Sequence, residues 1–378
     1  MPKEEPAAVA RNQHFAAILN CGFPEPEQCA TAFAVLCGVG APLKDGEVSV
    51  TPITGWLYAY RKLMVVDMAC RLRLFTLLDE RARPAEELAS LTGARIVPLT
   101  CLLDACVGLG LLTVEDGRYA GCSIARAYLV EGRPLYHGDL FRVFASEAPQ
   151  WGGLRDLVRG APRGEAGDPG GGGATAGEDV VDAKQFTRAM HALGALGEAE
   201  ALASSVDLSG RRDLVDVGCG SGVYSIALCR RYPDLRATLI DRPEVLEVTA
   251  EYLAESGVES RTSLAPGDFL VDGYGRDRDV VLLSDVLYQE SDICRAMLDL
   301  AHQSLVSGGR LVIRGYFYDR GAGHGPFGAL FDLDRLLTGP DREPLLVETI
   351  LRWVADAGFA GARSFPLSEQ STVVLAEK

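Results

Sequence analysis

The chain is 378 residues long, 48% hydrophobic and 24% charged, and its 37 Lys plus Arg against 52 Asp plus Glu leave a net charge of −15. That length allows two domains and a sizeable core, while the negative surplus opposes general affinity for nucleic acid or an anionic membrane. No apolar run reaches the roughly 18 residues of a membrane span, and the leading MPKEEPAAVARNQ has no hydrophobic core of a secretory signal, so a cytoplasmic location is expected.

Residues 1–55 carry no motif beyond expected helices that wrap a partner subunit. From Leu57 to Leu78 the apolar residues, among them Leu63, Val66, Met68, Cys70 and Leu74, fall nearly all round, which predicts a buried helix. Helices over Pro84–Leu91 and Ile96–Leu109 follow, broken at Thr92-Gly93. A hairpin of LLTV and RYA then closes around Glu115-Asp116-Gly117. Two short helices and a hairpin make a winged-helix pattern, whose sharpest reading is DNA binding. A reading helix needs Arg or Lys toward phosphates and bases, yet the second helix offers only Arg95 at its edge and Asp104 within. Packing against a partner subunit is therefore the better expectation.

Between Gly160 and Gly177, eight of eighteen residues are glycine. No Lys-Ser or Lys-Thr pair ends the run as a phosphate loop would require, so it reads as a flexible linker or insertion. It separates a helical domain (1–159) from a second domain (181–378), with 160–180 as the linker. In the second domain strands are expected at 213–217, 236–240, 262–264, 279–283 and 310–314. Helices fall at 224–231, 243–256 and 291–305, the last capped by Ser291 and ended by Ser307-Gly308-Gly309. A helix over 346–357 and strands over 362–365 and 372–376 complete a Rossmann-like, doubly wound α/β sheet.

The chemistry concentrates in DLVDVGCGSGVYSIAL, residues 213–228. A buried strand ends at Asp216 and runs through Gly218, Gly220 and Gly222 into a helix, where bare backbone and free N–H groups admit a ligand closely. Asp241, with Arg242 beside it, closes the next strand, and its carboxylate suits a ribose diol. The spacing is GxGxG rather than GxGxxG, which favours a nucleoside-bearing cofactor other than NAD. Elsewhere the signals are weaker. The ten cysteines contain no CxxC and read as reduced. Cys219 reads as a small filler. His14, His137, His302 and His324 have no metal-ligand spacing, so no metal site is expected. Asp332 and Asp334, at i and i+2, read as solvated surface.

DVGCGSG, LIDRP, PGDFL and LVSGGRLVIRG, taken in order, resemble the motifs of class I S-adenosylmethionine-dependent methyltransferases. More narrowly, the chain resembles small-molecule O-methyltransferases that pair this domain with an N-terminal winged-helix dimerisation domain. KQFTRAM (184–190) is similar to that family's helix leading into the catalytic domain. The resemblance implies S-adenosylmethionine as cofactor, a small-molecule acceptor and a homodimer formed through the N-terminal domain, with no nucleic-acid or membrane partner. It also implies that the Gly218 loop flanks the methionine end, that Asp241 holds the ribose, that Asp268 and Phe269 border the adenine, and that Ser284 and Asp285 lie near the sulfonium. Trp151, Phe186 and Met190 are expected either to line an aromatic acceptor pocket or to belong to the core.

At the family's catalytic position the chain departs. Relatives carry Leu-His-Asp-Trp with His as base, whereas this sequence has Leu287-Tyr288-Gln289-Glu290. An ordinary Tyr, with a pKa of about 10, is a poor base near neutrality. Three readings stay open. Another group, His191, Asp285, Glu290 or Asp292, is the base; or the acceptor needs little deprotonation, so that C- or N-methylation rivals O-methylation; or the cofactor is kept for a non-methylating reaction.

Overall fold

The computed structural model describes residues 51–160, 181–320, 327–339 and 341–378. Residues 1–50, nearly all of the glycine-rich stretch, His14 and His324 lie outside the described residues. Two compact units divide between Gly138 and Asp139.

The first unit contains α1 (Thr51–Arg71), α2 (Leu74–Leu77), β1 (Arg83–Pro84), α3 (Ala85–Thr92), α4 (Ile96–Gly108), β2 (Leu112–Glu115), β3 (Arg118–Gly121) and α5 (Ser123–Tyr128). The single buried helix expected over Leu57–Leu78 is corrected on two counts. Arg73, left-handed at φ 54°, splits it in two, and Trp56, Leu57, Tyr58 and Tyr60 on α1 face solvent. Periodicity registers apolar residues but does not say whether this chain or another covers them. Helices α3 and α4 meet at 115°, within the range of a helix-turn-helix. The hairpin turns on Asp116 and Gly117, both at positive φ, the geometry that matches strand twist. Strand β1 adds a third member in the order β1-β3-β2; two residues are too few to show a period.

The second unit opens with α6 (Gly138–Glu147), a 3-10 turn (Ala148–Gly153), α7 (Leu154–Arg159), α8 (Ala183–Gly194) and α9 (Glu198–Ser205). Alternation then begins with β4 (Asp213–Val217), α10 (Val223–Arg231), β5 (Arg236–Asp241), α11 (Pro243–Ala254), β6 (Thr262–Pro266), β7 (Arg278–Ser284), α12 (Ser291–Ser304) and β8 (Leu305–Gly315). It ends with α13 (Phe327–Thr338), α14 (Val347–Asp356), β9 (Ala360–Pro366) and β10 (Thr372–Glu377). The seven strands lie in the order β6-β5-β4-β7-β8-β10-β9, all parallel except β10, which runs antiparallel to both neighbours. Consecutive residues of β4 and β7 pack on opposite faces, Val215 and Val281 with Trp353 on one side, Leu214 and Leu282 with Leu228 on the other. Both faces are thus covered, which is why β7 reads as an unbroken apolar run over Val280–Leu283, whereas β4 is interrupted by Asp216.

Two expected boundaries move. Ser307-Gly308-Gly309 does not end a helix; it lies within β8, where the register against β7 shifts and Gly308 takes φ 74°. Ser291 is the first residue of α12 rather than its cap. Glu290 takes the cap position without a side-chain bond, and the Ser291 hydroxyl faces Glu343 instead.

Candidate active site

From β4 the chain first builds outward to β5 and β6, then crosses back to β7 and β8. The reversal lies between β4 and β7, and in such sheets ligands bind outside the carboxyl ends of the strands that flank it. The Gly218–Gly222 loop leaves β4 at that end. Its three glycines are left-handed, at φ 67°, 53° and 74°. A Cβ on Gly218 would come within 2.6 Å of Val286, and one on Gly222 within 2.7 Å of Leu239, while Gly220 faces open space. Packing thus requires the outer two glycines, and the middle one leaves room for a ligand.

The Gly218 and Cys219 N–H groups both donate to the Ile240 carbonyl, at 2.9 and 3.1 Å, pinning the loop to β5. Gly220 is held from both sides: its N–H donates to Asp241 Oδ2 at 2.8 Å, and its carbonyl accepts from Thr249 Oγ1 at 2.6 Å. Asp241 Oδ1 accepts the Arg242 N–H at 2.8 Å. A carboxylate offers about four acceptor positions, so two bonds leave capacity for a pair of hydroxyls. Asp241 is 8% exposed, and burial holds its carboxyl above the usual range despite those N–H donors. These spare acceptor positions beside an open backbone cradle fit the ribose hydroxyls of an adenosyl cofactor. Asp216, 2% exposed, accepts the Ser225 hydroxyl at 2.6 Å and so ties the end of β4 to α10. Burial, with the Asp241 charge adding to it, pushes its carboxyl up to about 7.

The remaining cofactor candidates surround this loop unevenly. The Phe269 ring edge lies 3.5 Å from where a Gly218 Cβ would stand, so it lines the loop. Asp268 is exposed and closes its own turn by accepting the Leu270 N–H at 2.9 Å. Arg242 points outward to Glu244, 3.3 Å away. Ser284 Oγ, at the end of β7, is buried without a well-formed hydrogen bond among the described residues, with the Tyr224 hydroxyl beside it. Cys219 is a buried filler whose thiol burial pushes far above its ordinary value.

The candidate bases are mostly committed elsewhere. Asp285, left-handed at φ 53°, is ion-paired with Arg314. Arg314 is 2% exposed; it also binds Glu198 at 2.6 Å and lies over the Tyr316 and Tyr224 rings. Glu290 is bonded to Arg342 at 2.9 Å, which lowers its pKa. Asp292 is exposed on the first turn of α12. His191 is in hydrogen-bond contact with Ser221 Oγ at 2.9 Å and stacks on Tyr252 with ring centroids 3.5 Å apart. Burial drops its pKa to about 4, so near neutrality it is an uncharged, weak base. Tyr288 is 38% exposed. The surrounding protein, and then the Asp241 carboxylate, raise its phenol above the ordinary value. It therefore stays protonated and can donate a hydrogen bond.

Phe186 and Met190, one turn apart on α8, share a face, Phe186 exposed and Met190 half-buried. Trp151 is half-buried and its indole N–H serves Asp334, which also accepts from Gln150 at 2.7 Å. The surface reading of Asp332 and Asp334 is thereby corrected. Asp332 is buried in an ion pair with Arg335, and Asp334 is desolvated enough to raise its carboxyl. Spacing along a helix does not reveal which of its faces the rest of the chain covers. Neither Arg314 nor Arg335 is singled out by the sequence reasoning; for the first, an Arg directly after the apolar Leu311-Val312-Ile313 is the available signal.

Residues 171–359 match the O-methyltransferase domain, and residues 55–131 match the O-methyltransferase dimerisation domain. A 3-hydroxy-5-methyl-1-naphthoate 3-O-methyltransferase of Streptomyces sahachiroi is 33% identical over 306 residues, covering 80% of this chain and 87% of that protein. The chain belongs to the S-adenosylmethionine-dependent O-methyltransferase family. This methyltransferase is thus an enzyme with S-adenosylmethionine as cofactor, and its relatives act in specialised metabolism. Not all of them methylate oxygen. An N,N-dimethyltransferase, OxyT, of Streptomyces rimosus is 32% identical over 268 residues, 68% of this chain and 75% of that one. An L-tyrosine C(3)-methyltransferase of Streptomyces lavendulae is 25% identical over 289 residues, 72% of this chain and 76% of that one. The methyltransferase also shares its fold with human N-acetylserotonin methyltransferase solved in complex with SAM: TM-score 0.73, 21% identity, 89% of this chain and 99% of that one.

Proposed function

We propose that the enzyme methylates a small aromatic acceptor whose nucleophilic atom needs little deprotonation, an acidic phenol first among them. S-adenosylmethionine, when bound, supplies an electrophilic methyl group that the acceptor takes in line. In this reading the Gly218–Gly222 backbone and Asp241 hold the adenosyl and methionine parts, with Asp216 and Arg242 supporting that turn. Asp268 and Phe269 border the base, and Ser284 lies toward the sulfur. The Tyr288 hydroxyl, kept protonated, donates to the acceptor and orients it, while Phe186, Met190 and Trp151 flank its ring. Alignment of the two reactants then supplies most of the acceleration, and a base, worth about 10²–10⁴-fold, is not required.

The observation that carries this reading is the commitment of three of the four candidate bases, Asp285 to Arg314, Glu290 to Arg342 and His191 to Ser221 and Tyr252, while Asp292 stands exposed on α12. The same observation favours N- or C-methylation as the second reading, because an amine or an electron-rich ring carbon also attacks without a strong base. We further infer a homodimer formed through the first unit, which matches a dimerisation domain and exposes Trp56, Leu57, Tyr60 and Val97.

Methyl-labelled cofactor is to be incubated with a panel of hydroxynaphthoates, phenols, aminophenols and aromatic amino acids. Label should enter an acidic phenol, and NMR of the product reports whether O, N or C received it. Label entering no acceptor despite tight cofactor binding would sink methyl transfer and point to a non-methylating use of the cofactor.

A further inference from the structure

Two buried charges serve the loop that carries Tyr288. Arg335 on α13 is 4% exposed and Asp332, one turn earlier, is 2% exposed. An ion pair withdrawn from water is seldom a net gain, since apolar residues of similar size pack as well or better. This pair has further work. Asp332 Oδ2 accepts the Tyr318 hydroxyl and the Leu345 N–H, each at 3.2 Å. Arg335 Nε donates to the Tyr288 carbonyl at 2.9 Å, Nη2 to the Gln289 carbonyl at 3.5 Å and Nη1 to the Glu343 carbonyl at 3.4 Å.

The segment receiving those bonds, from Asp285 to Glu290, belongs to no helix or strand. Its first residue, the left-handed Asp285, still donates its N–H to the Arg314 carbonyl at 2.9 Å, and beyond it Arg335 supplies the bonds to the Tyr288 and Gln289 carbonyls. A planar guanidinium reaches a carboxylate and separate carbonyls in one geometry, which a lysine ammonium does not reproduce. We propose that Arg335, seated by Asp332, is a positioning residue that holds the Tyr288 hydroxyl in line with the acceptor. The proposal rests on the reading in which Tyr288 faces that acceptor.

The test uses full-length enzyme carrying ¹³Cζ-tyrosine, with the Tyr288 signal assigned from Y288F and followed through a pH series with S-adenosylhomocysteine bound. kcat and KM are measured on the panel acceptor that turns over fastest. R335M should move the Tyr288 signal toward that of a free, exposed phenol and lower kcat by roughly 10–100-fold, the scale of a misplaced reacting group. Cofactor Kd should stay within about threefold, and in the Y288F background R335M should cost less than about threefold in kcat, because the two act as one unit. R335K, which keeps a cation for Asp332, carries the same readouts if R335M fails to fold, with a smaller signal shift. An unmoved Tyr288 signal with unchanged kcat overturns the proposal, as does an equal loss in both backgrounds. Full activity in Y288F, while R335M still moves the signal, would instead remove Tyr288 from the acceptor site and so overturn the functional reading itself.

Discussion

Replacing Asp241 by alanine separates the work this carboxylate does for the loop from the work it does for the cofactor. Two of its acceptor positions go to the Gly220 and Arg242 N–H groups, and the proposed use of the others is the ribose diol. A hydrogen bond to a charged group is worth about 1.5–3 kcal/mol. Losing two, with partial replacement by water, should cost about 3–4 kcal/mol, or roughly 10²–10³-fold in Kd. Calorimetric titration with S-adenosylhomocysteine measures this directly. Thr249→Val is the control, because it removes the 2.6 Å bond to the Gly220 carbonyl and loosens the loop while sparing the carboxylate; it should cost about 1 kcal/mol. The cofactor side closes the cycle: an analogue lacking the ribose hydroxyls should bind far more weakly to wild type but no more weakly to Asp241→Ala. An Asp241→Ala variant within threefold of wild type would refute the assignment. So would an analogue that suffers equally in both proteins.

Three further outcomes are expected. Asp216 has a folded pKa near 7, raised above its ordinary value. Between about pH 4 and 7 the unfolded chain gives up this proton while the folded chain keeps it, so cofactor-free stability should fall with rising pH across that window and level off above it. The loss totals on the order of 4 kcal/mol; urea unfolding of Asp216→Asn should lack it, and parallel pH curves for the two proteins would contradict it. Tyr288→Phe should lower kcat on a phenol by about tenfold or more. With Tyr288 intact and protonated, the alkaline-rising limb of the rate profile should track the pKa of the acceptor supplied; a limb fixed across acceptors would reveal an enzyme base instead. Val97→Glu, on an exposed apolar position of the first unit, should shift the sedimentation coefficient to that of a monomer, and an unaltered value would exclude this face from the interface.

The part of the site made by backbone demands was readable in the sequence; the part made by side chains meeting across the fold was not. Gly218 and Gly222 are needed because a Cβ would strike Val286 and Leu239, and such a demand leaves glycine at fixed spacing for anyone reading the chain. Asp241 is signalled the same way, by ending a strand directly after that loop. The i, i+3 pair Asp332–Arg335 gives no comparable sign, since its burial depends on residues 288–289 and 343–345 arriving from elsewhere. The sheet behaves likewise. Alternation predicted its parallel half, whereas the insertion of β10 between β8 and β9 is set by the last residues of the chain, where two strands in succession leave their pairing open.

Arginines explain why an acidic chain has so little free acid at its candidate centre. Arg314 takes Asp285, Arg342 takes Glu290, and Arg335 takes the carbonyls between them. Successive points of a single loop are thus tied to the body of the second unit by charge-assisted bonds, stronger than neutral ones. The cost is that a carboxylate so used loses basicity, as at Glu290, whose pKa the Arg342 bond lowers. A loop built this way trades proton abstraction for precision of place. Such an enzyme selects acceptors by their own acidity or nucleophilicity, and across a series of phenols of similar shape its rate at neutral pH should fall as the phenol pKa rises. A rate independent of phenol pKa would mean that a base operates there after all.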